Sequence, residues 1–115
     1  MCMLVPLTFK DKYGFPRERD GADVLWGETA GQHCVLYFSK EDFEYWSYPL
    51  KEFHRRVRDL NYFRKLDRFT LIKVTEIKKR IWLKALFYNG IILDLSRKAN
   101  SRLKVYLKKH PPVKK

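Results

Sequence analysis

Short runs of β-branched and aromatic residues, separated by polar turns, dominate the first forty positions of the chain. Such runs occupy residues 3–9, 22–27 and 33–39, and their composition predicts three β-strands. The turn-forming sequence GETAGQ leads from the second run into the third, so these two runs are expected to form a hairpin. Residues 10–21 are charged and contain Gly and Pro, which predicts an exposed loop.

Apolar residues three or four positions apart indicate an amphipathic helix in the middle of the chain. Leu50, Phe53, Val57 and Leu60 would share one face of an α-helix, because about 3.6 residues complete each turn. The arginines between them would then face away from the core. This pattern predicts a helix over about residues 49–66.

A second amphipathic helix is predicted near the end of the chain. After Ser96, which can cap a helix, Ala99, Leu103 and Tyr106 fall on one helical face. The alternation over residues 103–107 also fits a strand. We favour the helix, because a Ser cap precedes it and a Pro-Pro pair follows it.

Ser39 is a further candidate helix cap, because Lys-Glu-Asp follows it and acidic residues stabilise the first turn of a helix. Aligning Ser39 with Ser96 gives the same plan twice: a hairpin, an apolar strand, a Ser cap and a helix. Either an internal duplication or the common use of Ser at strand-to-helix junctions explains this agreement.

Three more extended runs lie between the two main helices, at residues 68–77, 81–88 and 91–96. Residues 78–80 would form the first turn of this meander, and Asn89-Gly90 predicts a type I′ turn for the second. The expected fold class is α+β, with an antiparallel β-sheet of about six strands, including the three-stranded meander, packed with two main helices. Residues 1–115 are expected to form a single domain.

Composition restricts the kind of protein. Hydrophobic residues make up 45% of the 115 residues and charged residues 33%, which favours a packed core over disorder. Cys2 and Cys34 occur without a CxxC motif or a Cys/His cluster, so we expect free thiols, no metal site and no cofactor. The apolar stretch 1–9 is too short for a signal peptide or a membrane span. We therefore expect an intracellular protein, in the cytoplasm or nucleus, without a membrane partner.

Charge is strongly segregated along the chain. The formal net charge is +12, but residues 1–54 hold six Lys and Arg against nine Asp and Glu, whereas residues 55–115 hold nineteen against four. Residues 96–115 contain no acidic residue. Such a field attracts polyanions and accelerates their encounter, and nucleic acid, either RNA or DNA, is the most common polyanionic partner.

The basic residues of the second half fall on the middle helix, in the predicted turn and on the last helix. Arg97 and Lys98 would lie in the first turn of the last helix, where the helix dipole disfavours cations unless a phosphate binds there. Trp82 would lie beside Lys84 on the more polar face of its strand, where its ring could stack on a base. The predicted nucleic-acid-binding residues, most of them contacting phosphates, are Arg55, Arg58, Lys78, Lys79, Arg80, Trp82, Lys84, Arg97, Lys98, Arg102, Lys104, Lys108 and Lys109.

Two other functions remain open on sequence grounds. The basic half could bind an acidic protein, as an adaptor or inhibitor, and the chain could form a homodimer. Glu76 and Lys78 form the ExK pair of restriction-like nucleases, but an acid on a neighbouring strand is missing. His54 or His110 could serve as acid or base in a small toxin-like ribonuclease. We predict no catalytic residue and favour binding over catalysis.

The order helix, three strands, helix over about residues 49–109 is similar to a double-stranded RNA-binding domain, with Ser96, Arg97 and Lys98 at the basic helix start of that family. The resemblance covers just over half of the chain and implies RNA binding. The glycine-rich approach and alanine-rich helix face of the family are absent, so no RNA contact is transferred. The paired hairpin-and-helix plan is also similar to the Whirly single-strand-binding proteins.

Overall fold

The computed structural model describes residues 3–112, and these residues adopt an α+β fold, which confirms the predicted fold class. They form ten strands rather than about six. The strands are β1 (Pro6–Lys10), β2 (Pro16–Asp20), β3 (Trp26–Ala30), β4 (His33–Tyr37), β5 (Phe43–Trp46), β6 (Phe63–Asp67), β7 (Thr70–Lys73), β8 (Ile77–Ile81), β9 (Lys84–Phe87) and β10 (Ile92–Asp94). The two helices are α1 (Leu50–Val57) and α2 (Arg97–Lys109).

A five-stranded antiparallel sheet, in the order β5-β4-β3-β7-β6, lies at the centre of the fold. Because successive side chains of a strand point to opposite faces, the two faces of this sheet contribute residues to two different cores. Leu36 and Leu71 pack in one core with the β1-β2 hairpin and α1. Trp26 and Ile72 pack in the other core with the β10-β9-β8 sheet and α2. The result is three layers.

Helix α1 packs very closely on the central sheet at Gly27. A Cβ atom on Gly27 would lie 2.8 Å from Cδ1 of Leu50 and 3.0 Å from Cδ2 of Leu36, so only glycine allows this approach without a shift. Leu50, Phe53 and Val57 are buried, as the spacing predicted.

Helix α1 is shorter than predicted. A single 3-10 turn, Arg58–Leu60, follows it, and Asn61 then adopts a left-handed conformation with φ of 63°, which ends the helical segment. Residues 63–66, predicted as helix, lie in β6 at the edge of the central sheet. The apolar residues of β6 are buried by strand pairing, so their local spacing was misleading.

The predicted loop over residues 10–21 is confirmed only at residues 11–15, which form the turn of a hairpin, and is wrong at residues 16–20, where β2 pairs with β1. The charged side chains that suggested a loop bind acidic residues near and on β5. Arg17 pairs with Glu44, and Arg19 pairs with Asp42 and Glu44 while its guanidinium lies 3.7 Å from the ring centroid of Phe38. These contacts attach the β1-β2 hairpin to the central sheet.

The helix predicted to start at Ser39 is also wrong. Ser39 Oγ accepts a hydrogen bond from the backbone N–H of Asp42, as a cap would, but the chain then enters β5. In β5, Glu44 and Trp46 are buried while Phe43 and Tyr45 are exposed, which is the alternation of a strand. The proposed internal repeat therefore fails at its first helix.

The predicted meander is confirmed in part. Strands β8, β9 and β10 form an antiparallel three-stranded sheet, but the first predicted strand is divided between β7 in the central sheet and β8. Residues 78–80 lie in β8 instead of in a turn, and the turn falls at Trp82 and Leu83. The hairpin at Asn89-Gly90 exists, but only Gly90 has a positive φ (91°), so the turn is not type I′.

The observed strands contradict the resemblance to a double-stranded RNA-binding domain. Five strands, β6 to β10, lie between the two helices, and they belong to two different sheets. The RNA contacts of that family have no equivalent framework here.

Candidate nucleic-acid interface

Helix α2 begins at Ser96, as predicted. Ser96 Oγ accepts a hydrogen bond from the Ala99 N–H at 3.0 Å, and its hydroxyl donates to Oδ2 of Asp67 at 2.6 Å. Burial of Asp67 opposes its ionisation, but hydrogen bonds from Ser96, Phe69 and Thr70 keep the pKa of this carboxyl below its usual value. The positive end of the α2 dipole therefore already has a carboxylate beside it, and the expected need for a phosphate at this position is removed.

An open groove lies between β8 and the C-terminal half of α2. It has a volume of about 510 Å³. A register shift between Ile77 and Lys79 interrupts the pairing of β8 with β9 where this groove begins. We call it the basic groove, and its lining residues are Lys78, Lys79, Arg80, Lys104, Leu107, Lys108 and Pro112.

Among the residues that the structure describes, no acidic side chain lines the basic groove, although its cations come from two elements that are far apart in sequence. Lys104 and Lys108 are one helical turn apart on α2, and they line the same groove as the three consecutive cations of β8. Within residues 3–112, none of the five groove cations is in an ion pair. Five neighbouring positive charges repel one another, and a bound polyanion would relieve this repulsion.

Asn100 fixes one end of the basic groove. Its side chain is only 2% exposed, and Oδ1 accepts hydrogen bonds from Nη1 of Arg80 at 3.1 Å and from the backbone N–H of Leu83 at 3.0 Å. Leu83 has a positive φ of 59°, which is unusual for a residue with a branched side chain. A single buried amide therefore connects the β8-β9 turn to α2.

The other predicted cations of α2 are exposed on both sides of the helix. Arg97 lies on the same side as Lys104, because seven residues make about two turns. Lys98 lines a separate cavity of about 220 Å³ with Asp67 and Phe69. The two remaining α2 residues of the predicted set are Arg102 and Lys109.

The structure does not bring Arg55 and Arg58 into the basic groove. Arg55 lies on α1, and Arg58 follows directly on from it, beside the opposite face of the central sheet from α2. Arg55 forms an ion pair with Glu52, and hydrogen bonds from Arg55 and Arg56 lower the pKa of Glu52 to about 2. The charge of Arg55 is thus already partly neutralised.

Trp82 and Lys84 differ in their availability. Trp82 is 67% exposed at the β8-β9 turn, next to the end of the groove strand. Lys84 forms an ion pair with Asp94 on the neighbouring strand β10. The charge of Lys84 is therefore partly neutralised, whereas the ring of Trp82 is exposed to solvent.

Sequence reasoning missed Phe69 as a candidate contact. Phe69 is exposed at the β6-β7 turn, and the guanidinium of Arg68 lies 5.1 Å from its ring centroid. An apolar residue between Arg68 and Thr70 at a turn was the available signal, since turns favour polar residues.

The structure gives little support to the nuclease alternatives. Glu76 and Lys78 line different cavities, the first near Tyr88 and the second in the basic groove. Among residues 3–112 no three His, Cys, Asp or Glu side chains are grouped closely enough to hold a metal ion. Burial, together with nearby Lys65, Arg58 and Arg64, lowers the pKa of His54.

His110 directly follows the last residue of α2. Its ring stacks on Tyr106 with centroids 4.6 Å apart.

Neither α1 nor α2, the two helices of residues 3–112, is long and apolar enough to cross a lipid bilayer.

Comparison with known proteins identifies a similar fold and no similar sequence. No protein-family model matches the chain, and no curated protein does so either. Among solved structures, a LytTr DNA-binding domain from Bacillus cereus matches with a TM-score of 0.62, covering 93% of this chain and 97% of that domain at 17% sequence identity. At this level of identity, the two chains share a fold.

Proposed function

We propose that this protein binds nucleic acid, mainly through phosphate contacts made by the basic groove. The observation that carries the proposal is the convergence of five cations from β8 and α2 on one open groove, which no acidic side chain of residues 3–112 lines. The partner that fits such a groove is a flexible or helical chain of phosphates, because each phosphate needs a cation but no fixed geometry.

The similarity to a LytTr DNA-binding domain supports this proposal and favours DNA over RNA. The likeness extends over nearly the whole of both chains. A DNA partner would agree with the predicted intracellular location. The further cations of α2, Arg97, Lys98, Arg102 and Lys109, would extend the contact beyond the groove.

Removal of the groove cations tests the proposal. Binding of fluorescent duplex DNA, single-stranded DNA and RNA is measured at several salt concentrations for the chain carrying Lys78→Ala, Lys104→Ala and Lys108→Ala. We expect weaker binding and a shallower dependence of log affinity on log salt, by up to about 0.9 in slope for each duplex phosphate contact that is lost. All three lysines are exposed, so the variant should remain folded.

A charge-matched control distinguishes the effect of losing cations in the basic groove from the effect of lowering the total charge. Lys10→Ala, Lys12→Ala and Lys40→Ala remove the same charge from exposed positions in the acidic half. This control should keep at least most of the affinity and an unchanged salt slope. Equal losses in both triple variants would overturn the groove as the site and leave only a general attraction by net charge.

An acidic protein partner is the competing explanation for the same cations. Wild-type protein that binds none of the three nucleic acids at low salt would exclude the nucleic-acid proposal and favour that alternative. Purified protein with a high ultraviolet absorbance ratio that falls after a high-salt wash would support nucleic-acid binding.

A further inference from the structure

Trp82 differs from the other two tryptophans in the chain. Trp26 is 5% exposed and stacks on Tyr37 with ring centroids 4.5 Å apart, and Trp46 is 2% exposed and lies against Tyr48 and Phe53. Trp82 is 67% exposed, and within residues 3–112 its ring is in no aromatic or cation–π pair. Core packing therefore explains Trp26 and Trp46 but not Trp82.

The turn that carries Trp82 is held in place. Its next residue, Leu83, has its backbone N–H bound to the buried Oδ1 of Asn100, and the same oxygen binds Arg80 of the basic groove. The φ of 59° at Leu83 carries a cost that the surrounding contacts must offset. A large exposed ring is thus presented by an anchored turn beside a line of phosphate-binding candidates.

We infer that Trp82 stacks on a nucleobase, so that the partner of the basic groove is a strand whose bases are out of the double-helical stack. This inference rests on the proposed function. Cations that track the backbone, combined with an aromatic ring that contacts a base face, are the arrangement that binds single strands with little sequence preference. A continuous duplex hides its base faces, so Trp82 would add little to duplex binding.

The nearby charges favour a base over a protein partner for this ring. Arg80 and Lys79 precede Trp82 by two and three residues, and Arg97 lies in the first turn of α2, whose Asn100 binds the same turn. The carboxylate of Asp94, on the neighbouring strand β10, is already bound to Lys84. An exposed aromatic ring whose neighbours in the sequence are cations matches a ligand that offers both a π-face and negative charge.

Substitution of Trp82 tests the inference, with oligo(dT) and a duplex of equal length as probes. Trp82→Ala should weaken oligo(dT) binding about tenfold or more and change duplex binding less than about twofold. Trp82→Phe should restore most of the oligo(dT) affinity, because a phenyl ring also stacks. Tyr45→Ala is the matched control, since Tyr45 is 71% exposed on β5 in the acidic half and should not affect either probe.

Fluorescence quenching gives a direct reading of contact. Because Trp26 and Trp46 are buried, an ionic quencher such as iodide should act mainly on Trp82. Oligo(dT) should reduce this quenching in the wild-type protein. The Trp82→Phe variant should be quenched weakly with or without oligo(dT).

The outcomes separate this inference from the proposed function. If Trp82→Ala leaves oligo(dT) affinity unchanged, or weakens oligo(dT) and duplex binding equally, base stacking is overturned. If duplex binding still depends on Lys78, Lys104 and Lys108, the basic groove remains supported as a phosphate site. The same conclusion follows if the lysine variant loses all binding while Trp82→Ala does not.

Discussion

At the scale of single residues, a buried amide does the most to shape the candidate interface. Asn100 lies on the inner side of α2, and its one carbonyl oxygen binds both a groove arginine and the backbone of a strained turn. Buried polar groups of this kind stabilise a structure only when their partners are in place. The helical periodicity predicted the apolar face of α2 at Ala99, Leu103 and Tyr106, but it predicted neither the burial of Asn100 nor its partners.

We expect Asn100→Ala to lower the free energy of unfolding by about 1–3 kcal/mol, because the Leu83 N–H would lose its buried acceptor. Asn100→Asp retains an acceptor oxygen and should cost less. Urea denaturation at neutral pH measures both, and the exposed Ser101→Ala is the control. A change within about 0.5 kcal/mol for Asn100→Ala would mean that the amide does not hold the turn.

Cys34 offers a second prediction at this scale. The thiol is fully buried in the central sheet, and burial raises its pKa to about 12. Because the thiolate is the reactive form, Cys34 should resist alkylation by iodoacetamide at pH 8 in the folded protein and react after denaturation. Peptide mass spectrometry distinguishes the two states. Rapid modification of Cys34 in the native protein would contradict the packing of this sheet.

At the scale of elements, α2 is anchored at its first turn by a pair of side chains from two segments. Ser96 caps the helix and binds Asp67 from the end of β6, so that the helix start and the edge of the central sheet are connected. The cap was predictable from the sequence Leu-Ser-Arg-Lys-Ala. The acceptor Asp67, which lies almost thirty residues earlier, was not.

Replacement of Ser96 should affect stability in a pH-dependent way. Ser96→Ala removes the cap, which costs about 1 kcal/mol, and removes a hydrogen bond that helps to lower the pKa of Asp67. A carboxyl with a lowered pKa in the folded state stabilises the protein above its unfolded pKa of about 4, and this contribution is lost as the pH falls through the folded pKa. The difference in unfolding free energy between wild type and Ser96→Ala should therefore be larger at pH 7 than at pH 3.

Denaturant titrations at the two pH values test this expectation, with Ser101→Ala as a helix control that lacks both contacts. An equal difference at pH 7 and pH 3 would show that the cap acts without Asp67. A smaller difference at pH 7 would reverse the assigned direction of the pKa shift.

At the scale of the whole molecule, the central sheet separates the β1-β2 hairpin and α1 from the basic groove. The first core holds β1 and α1, and the second holds α2 and the meander. The cations differ in their partners on the two sides of the sheet. Arg17 and Arg19 of β2 are paired with Glu44 and Asp42, whereas the groove cations have no ion pair within residues 3–112.

A substitution in the first core should change stability without changing binding. Gly27→Ala places a Cβ within 2.8 Å of Leu50, and such overpacking typically costs about 1–3 kcal/mol. The basic groove lies on the opposite face of the sheet, so the folded variant should keep the wild-type affinity and salt slope for nucleic acid. Thermal denaturation and binding below the melting transition check the two halves of this prediction.

An unchanged melting temperature would mean that α1 can move away from the sheet at no cost. A loss of affinity in the folded Gly27→Ala protein would mean that the two faces are coupled. The first result would contradict the predicted cost of overpacking, and the second would contradict the view that the two faces are independent in binding.

Local signals in the sequence were sufficient for the features that depend on neighbouring residues. The faces of α1 and α2, the Ser96 cap and the hairpin at Asn89-Gly90 each arise from the spacing or conformation of residues a few positions apart, and all four are present. Errors occurred where distant strands compete with local preference. Residues 63–66 and Ser39 had helical signals, but pairing within the central sheet placed 63–66 in a strand and took the chain after Ser39 into β5.

By itself, the amino-acid sequence determined the α+β character of this protein and the excess of positive charge in its second half, since composition and periodicity do not depend on how segments pack. Only the tertiary structure decided which cations meet. Lys78 and Lys104 are separated by more than twenty residues, and they line one groove because α2 packs beside β8 through Asn100 and the second core. Burial of both cores selects that packing, and no local pattern contains this information.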